Sequence, residues 1–345
     1  MRVLVTGGAG LVGSECCRHF AGRGHEVTSV DNYSRATFFG SEGDTSSTIA
    51  AVCRDHPGVE HHEADIRDVV RLRPLVRQAD LVIHTAAQPS HSRSIEIPLE
   101  DFSVNAAGTL GLLELMRTER PGAVFIYCST NKVYGDRPNS LPLVEKETRF
   151  DYDGLEGVDE SMSLDQCLHT PFGVSKTAAD LYVQEYGRLH GLKTGVFRMG
   201  CIAGGAAKAT PAHNWEGYFM QVALAGTELT IHGYRGKQVR DVVHARDIAR
   251  LFEMFAAAPR PGEVYNIGGG RANSISLLES FELIERISGR RIRSRLGPPR
   301  EGDHIVYITD LGKVRRHYGW APAVNLEDVF REIHGYLVRS FAAGR

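Results

Sequence analysis

The chain has 345 residues, 42% of them hydrophobic and 24% charged, with a formal net charge of −2. That is core material for one large or two modest domains, and it excludes a disordered chain. A charge so close to zero gives no bulk positive field for nucleic acid or an anionic membrane, and no apolar run is long enough to span a bilayer. Arg290, Arg291, Arg293 and Arg295 form one local basic run, read as a solvated face. The six cysteines include the neighbours Cys16 and Cys17, and no pair has zinc-ribbon spacing, which fits a reducing compartment. Fifteen histidines contain no HExxH, and His61 and His62 would point apart on a strand, so no metal is expected. Arg2-Val3-Leu4-Val5 near the first residue leaves no room for a signal h-region, and the expectation is a cytoplasmic protein.

Short apolar runs alternate with amphipathic stretches through the first two-thirds of the chain, the pattern of βαβ units around a parallel sheet. The expected strands are 3–6, 26–31, 59–64, 81–84, 124–129 and 193–198. Helices are expected at 11–21, 69–78, 103–117 and 176–190. Right-handed crossovers would wind these into an α/β fold, a Rossmann doubly wound parallel sheet. From about 138 to 170 the chain is rich in Asp, Glu, Pro and Gly, longer than an ordinary connection and so a functional or covering segment. Further on come the glycine pair Gly204-Gly205, an aromatic helix at 214–225, strands at 230–233 and 264–268, and helices at 277–287 and 326–337. The expected division is a dinucleotide-binding Rossmann domain of 1–198 with 239–270, and a smaller mixed α/β substrate-binding lobe of 199–238 with 271–345.

Thr6-Gly7-Gly8-Ala9-Gly10-Leu11-Val12-Gly13 follows the first strand and opens the first helix. Gly7, Gly10 and Gly13 let backbone approach a pyrophosphate, and the helix start at Leu11 and Val12 offers N–H groups and a positive dipole end. Asp31 ends the second strand, 18 residues after Gly13. A carboxylate there can accept the adenosine ribose hydroxyls and would repel a 2′-phosphate, so NAD is favoured over NADP. Asn32, Ser34 and Arg35 follow closely enough to join this contact set, and Arg35 pulls the other way on cofactor choice. A strand-terminal Asp can also simply cap a turn.

At this point the chain resembles the extended short-chain dehydrogenase/reductase family along nearly its whole length. Asp65-Ile66 is similar to the family's adenine contact, Thr85-Ala86-Ala87-Gln88 to its cofactor loop, and Asn105 to the helix asparagine that follows. Ser129-Thr130-Asn131-Lys132-Val133-Tyr134-Gly135-Asp136 resembles the strand end in which Thr130 takes the catalytic Ser/Thr place. Val239-Arg240-Asp241-Val242-Val243-His244 and Pro299-Arg300-Glu301-Gly302-Asp303 resemble segments that supply two arginines to a sugar-nucleotide diphosphate. The arginine fork matches phosphate oxygens. Stretches 129–136, 159–161, 197–205 and 236–241 are most similar to family members that epimerise CDP-sugars at C2. The resemblance implies bound NAD, a nucleoside-diphosphate sugar as substrate, and a homodimer paired through helices 103–117 and 176–190.

One position departs from the family's Y-x-x-x-K. In Thr170-Pro171-Phe172-Gly173-Val174-Ser175-Lys176 the lysine is present and the tyrosine is Phe172, which has no proton to exchange. Lys176 is the first candidate for the missing base, aided by Thr130, with His91 and His169 behind it and Cys128, Cys201 and Lys132 weaker. Asn131, Lys132, Cys201, Arg240, Arg300 and Asp303 make up the expected substrate contacts; Cys201 stands where many relatives carry a substrate-binding asparagine. Three functions follow: a redox-neutral epimerase, an enzyme that ends in dehydration or another elimination, and a silent NAD or nucleotide-sugar binder. Asn131-Lys132 in place of the Asp-Glu of 4,6-dehydratases weighs against the second, and Phe172 speaks for the third.

Overall fold

The structure is a computed structural model that describes residues 1–204, 214–300 and 302–343. Gly205 and Glu301, both named above, lie outside the described residues. Packing divides the chain into two units, the first made of residues 1–133, 170–199 and 248–265, the second of 134–169, 200–247 and 266–345.

The first unit is built on a seven-stranded sheet of β1 (Arg2–Thr6), β2 (Glu26–Asp31), β3 (Val59–Glu63), β4 (Leu81–His84), β5 (Val124–Thr130), β6 (Lys193–Met199) and β7 (Glu263–Ile267), in the order β7-β6-β5-β4-β1-β2-β3. Every pairing from β3 across to β6 is parallel. β4 (Leu-Val-Ile-His) is buried at all four positions, the composition of a strand covered on both faces. Helices Leu11–Gly22, Val69–Gln78, Gly108–Glu119 and Pro171–His190 return the chain between strands, and Leu112, Met116, Ala179 and Val183 pack with Leu4, Val82, Phe125 and Val196. The strand order reverses between β1 and β4, and at such a switch point the two outgoing loops part and leave a crevice. There Thr6 pairs with His84, and the buried Thr6 hydroxyl lies 2.7 Å from the His84 Nδ1.

Two helix starts differ from expectation. The helix expected at 103–117 opens with a π-helical turn, Ser103–Ala107, before Gly108–Glu119. The helix expected from 176 begins at Pro171, whose missing N–H costs nothing in a first turn. Phe172 and Lys176 therefore share one helix face, a turn apart. The Ala245–Ala257 helix follows strand Val239–His244 directly, and the Nδ1 of His244 accepts the Arg246 amide of its first turn at 3.0 Å.

In the second unit, strand Val239–His244 pairs antiparallel with Ser274–Ser276 and parallel with both Val306–Tyr307 and Cys201–Ala203. Helices Trp215–Ala225, Leu277–Ser288 and Leu326–Ala343 close a core of Phe219, Met220, Leu283, Ile284, Val329 and Phe330. This division departs from the expected boundaries. Residues 134–169 belong to the second unit, where the Tyr134 hydroxyl donates to Asn266 at 2.8 Å and the Tyr152 hydroxyl to the Val306 carbonyl at 2.8 Å. Residues 239–247 and 266–270 belong there too, since the ladder of Val239–His244 lies in that unit's sheet.

Candidate active site

The turn after β1 is shaped by what a side chain would strike. Gly7 has φ +72°, and a Cβ on it would lie 2.5 Å from the Ala86 nitrogen; one on Gly13 would lie 2.1 Å from the Gly7 oxygen. Gly7 and Gly8 both donate to the Val30 carbonyl, at 2.8 and 3.2 Å. The Thr85 hydroxyl donates to the Thr6 carbonyl at 2.7 Å, which ties the first residue after β4 to the end of β1. Gly10 precedes helix Leu11–Gly22 without a side-chain cap, and the first turn carries no acid. With Gly10, Leu11 and Val12 half-buried, this helix end is suited to an anion. Ala87, beyond Ala86 in the β4 loop, is also half-buried.

Asp31 accepts hydrogen bonds from the Ala9 amide at 3.0 Å and the Tyr33 amide at 2.8 Å, one on each oxygen. Burial pushes its carboxyl up, and these amides oppose the shift by favouring the ionised form. A second lone pair on each oxygen remains for a diol. Asn32 donates to Asp65 at 2.9 Å and accepts from the Ser34 amide at 3.1 Å. Arg67 grips Asp65 with two side-chain nitrogens, at 2.9 and 2.7 Å, and holds its carboxyl below the usual range. Ile66 is buried against Gly108, and Arg35 lies 4.6 Å from the centre of the Phe39 ring.

Gln88 and Asn105, expected at the cofactor, spend their amides inside the protein. Asn105 accepts from the Gln88 amide at 2.9 Å and donates to the Gln88 carbonyl at 3.1 Å, to Asp101 at 3.2 Å and to the Ser175 hydroxyl at 3.1 Å. Gln88 donates to Asp101 at 2.7 Å, and Ser175 donates to the other Asp101 oxygen. This closed network fastens the β4 loop to helix Pro171–His190. Nothing in Pro98-Leu99-Glu100-Asp101 marks Asp101 for it, since such a stretch reads as an acidic helix start.

At the end of β5, Thr130 accepts from the Lys132 amide at 3.2 Å and donates to Asn131 at 3.4 Å. Lys176 is buried; its Nζ donates to the Cys128 carbonyl at 2.7 Å and sits 4.3 Å over the Tyr127 ring. Burial pushes the amine down to about 8, against the pull of Asp180 and Asp101. The same burial holds the Cys128 thiol up near 12, which rules against a thiolate base. Phe172 is packed against His91, with ring centres 4.7 Å apart at 45°.

In the second unit Arg240 is ion-paired with Asp303 and donates to the carbonyls of Val239 and His304, at 2.8 and 2.7 Å. Arg300 is exposed, and its carbonyl accepts the Asp303 amide at 3.3 Å. The Cys201 sulfur accepts from the Trp215 indole at 3.4 Å, and burial holds its thiol up near 12. The His169 Nδ1 lies 3.2 Å from the Cys167 carbonyl within its own loop. Sequence reasoning missed Glu216, a fully buried carboxyl pushed up to about 8 by desolvation. Among the described residues no group of three or more His, Cys, Asp or Glu could hold a metal, and no helix is long and apolar enough to cross a membrane.

The profile of the NAD dependent epimerase/dehydratase family matches residues 3–268. The chain belongs to this family. CDP-paratose 2-epimerase of Salmonella typhi is 36% identical over 346 aligned positions, covering 97% of this chain and 99% of that protein. A putative UDP-glucose 4-epimerase of Methanocaldococcus jannaschii is 28% identical, covering 97% of this chain and 98% of its own length. Among solved structures, UDP-glucose 4-epimerase of Thermotoga maritima, determined with UDP-glucose, superposes with a TM-score of 0.82 at 28% identity, over 99% of this chain and 100% of that one. The Stenotrophomonas maltophila UDP-glucose 4-epimerase, with NAD and formylated UDP-arabinopyranose bound, gives 0.83 at 27% identity over 100% of both chains.

Proposed function

We propose that the chain is a redox-neutral, NAD-dependent epimerase of a nucleoside-diphosphate sugar. NAD, when bound, would supply a hydride acceptor for a carbinol carbon and a hydride donor to the opposite face of the ketone. The glycine turn fits such a group because Gly7 and Gly13 let backbone pack directly on backbone, which holds the turn tight beside an uncapped helix end. In this reading Gly7, Gly10 and Gly13 receive the pyrophosphate, Asp31 the adenosine ribose, and Lys176 the nicotinamide ribose. Gln88 and Asn105 hold the loop rather than the ligand. Arg240, kept in place by Asp303, and the exposed Arg300 take the substrate diphosphate, with Asn131, Lys132 and Cys201 toward the sugar. The 36% identity to a CDP-sugar 2-epimerase supports C2 as the reacting carbon. Leu181, Tyr182 and Leu189, exposed along helix Pro171–His190, support a homodimer, which light scattering at micromolar concentration would register.

The observation that carries epimerisation over elimination is the corner after β5. Thr130 is followed by Asn131 and Lys132, so no carboxyl pair stands there to remove water from the ketone. The test incubates the NAD-loaded protein with CDP-, UDP-, GDP- and dTDP-hexoses deuterated at C2. An inverted product that retains its deuterium is expected. Loss of label to solvent would indicate direct proton abstraction, and an unsaturated or deoxy-keto product would indicate elimination. No conversion of any sugar while NAD stays bound would support a silent binder, the reading that Phe172 favours.

A further inference from the structure

Position 172 lies one helical turn before Lys176, and its phenyl ring can neither give nor take a proton. The titratable ring against it is His91. The helix His91–Glu96 is tied to helix Pro171–His190 by one side chain: the fully buried Ser94 hydroxyl accepts from the Phe172 amide at 3.1 Å and donates to the His91 carbonyl at 2.7 Å. Just upstream, the Ser90 amide donates to the Gln88 side chain, which belongs to the Asp101–Asn105–Ser175 network. The backbone of His91 is thus fixed on both sides to the segment that carries Phe172 and Lys176.

We infer that His91 carries the proton transfer a residue-172 phenol would otherwise perform, and that Ser94 is the positioning residue that keeps the imidazole there. The inference rests on the epimerase reading above. In the forward step the O–H bond of the reacting carbinol breaks and the proton passes to an imidazole nitrogen. The oxygen's electron pair forms the C=O as hydride leaves the carbon for the nicotinamide. On return the imidazolium gives the proton back to the same oxygen, so neither proton nor electron is consumed. Imidazole has an ordinary pKa of about 6.5, in the range a base at neutral pH needs. Lys176 is the rival. Burial favours its neutral amine, but the Nζ is already committed to the Cys128 carbonyl and lies over the Tyr127 face, a placement that suits holding a ribose.

The test uses NAD-loaded protein and whichever nucleotide hexose the parent converts. His91→Gln should lower kcat by about 100-fold or more, with the sugar KM and the bound NAD unchanged; His91→Asn serves if the first variant misfolds. Phe172→Tyr placed in His91→Gln should recover much of the loss, because the phenol restores an exchangeable proton. Ser94→Ala should lower kcat by about tenfold without raising KM. In the NMR spectrum of the NAD-bound protein, Ser94→Ala should also move the His91 ring signal, assigned by its loss in His91→Gln. Full turnover in His91→Gln, or a His91 ring signal that ignores the bound nucleotide sugar, overturns the inference and leaves the epimerase reading standing. A parent protein that converts no CDP-, UDP-, GDP- or dTDP-hexose overturns the reading, and the inference falls with it.

Discussion

Asp101 in the first unit and Glu216 in the second are buried carboxyls, 0% and 1% exposed, set in opposite surroundings. Asp101 accepts from Gln88, Asn105 and Ser175, three side chains from three separate stretches of chain. Glu216 has an Oε1 with no hydrogen-bond partner among the described residues, in the first turn of helix Trp215–Ala225. A satisfied buried carboxyl fixes the position of everything that donates to it. An unsatisfied one stays neutral as far up in pH as it can and makes the fold pay for ionisation beyond that. The first unit therefore gains precision from its buried charge, and the second carries a pH-dependent liability.

The largest effect expected from this contrast is on Asp101→Ala. Three buried donors would each lose an acceptor at once, and breaking such a group costs about 4 kcal/mol. Urea unfolding should show the loss, and NAD binding should weaken as the β4 loop comes free of helix Pro171–His190. A cost below about 1 kcal/mol would mean that the network is decoration and that Gln88 and Asn105 hold nothing in place.

Glu216→Gln should act in the opposite direction. The folded carboxyl titrates near 8 and an unfolded one near 4.3, so below both values the two states bind the proton equally and no stability is lost. Between them the unfolded chain ionises first, and native stability falls as pH rises toward 8. Glutamine does not ionise, so the variant should match the parent at acid pH and be more stable at pH 7, by about 3.5 kcal/mol. Thermal melts across that window would show a gap that widens with pH. A constant gap would mean that Glu216 finds a partner or water.

The glycine turn was legible in sequence because its requirement is local: Gly7 and Gly13 sit where backbone geometry refuses a Cβ, within a few residues of the strand they follow. The strands themselves were legible for a similar reason, since apolar runs such as 81–84 leave little choice of environment. The absence of a phenol at Phe172 was equally plain. What sequence withheld was long-range polar pairing. Ser175 reaches Asp101 across 74 residues, Ser94 reaches Phe172 across 78, and neither pattern differs from an ordinary helix surface until the chain is folded. Gln88 and Asn105 stand in cofactor-motif positions, yet their amides face inward, because a motif records where a residue sits and not what it bonds. The anchors of residues 134–169 in the second unit, Asn266 and Val306, are long-range partners of the same kind.

The smallest expected effect belongs to Asp31, a carboxylate that is half-buried and already serves two backbone amides. The pyrophosphate meets the glycine turn and the helix end, which are backbone and survive any change at residue 31. Asp31 adds hydrogen bonds to the ribose diol and repulsion toward a 2′-phosphate. Asp31→Ala should therefore weaken NAD binding by only about tenfold, near 1.4 kcal/mol, while NADP binding changes less, so that discrimination narrows from one side. Asp31→Asn separates the two contributions. Its amide oxygen can still accept one backbone N–H, but the charge is gone, so NADP should gain more than NAD loses. Calorimetry on parent and both variants reads each affinity directly. Equal binding of the two cofactors by the parent would show that Arg35, four residues on, offsets the carboxylate, and that Asp31 serves the turn made by Ala9 and Tyr33 rather than the ribose.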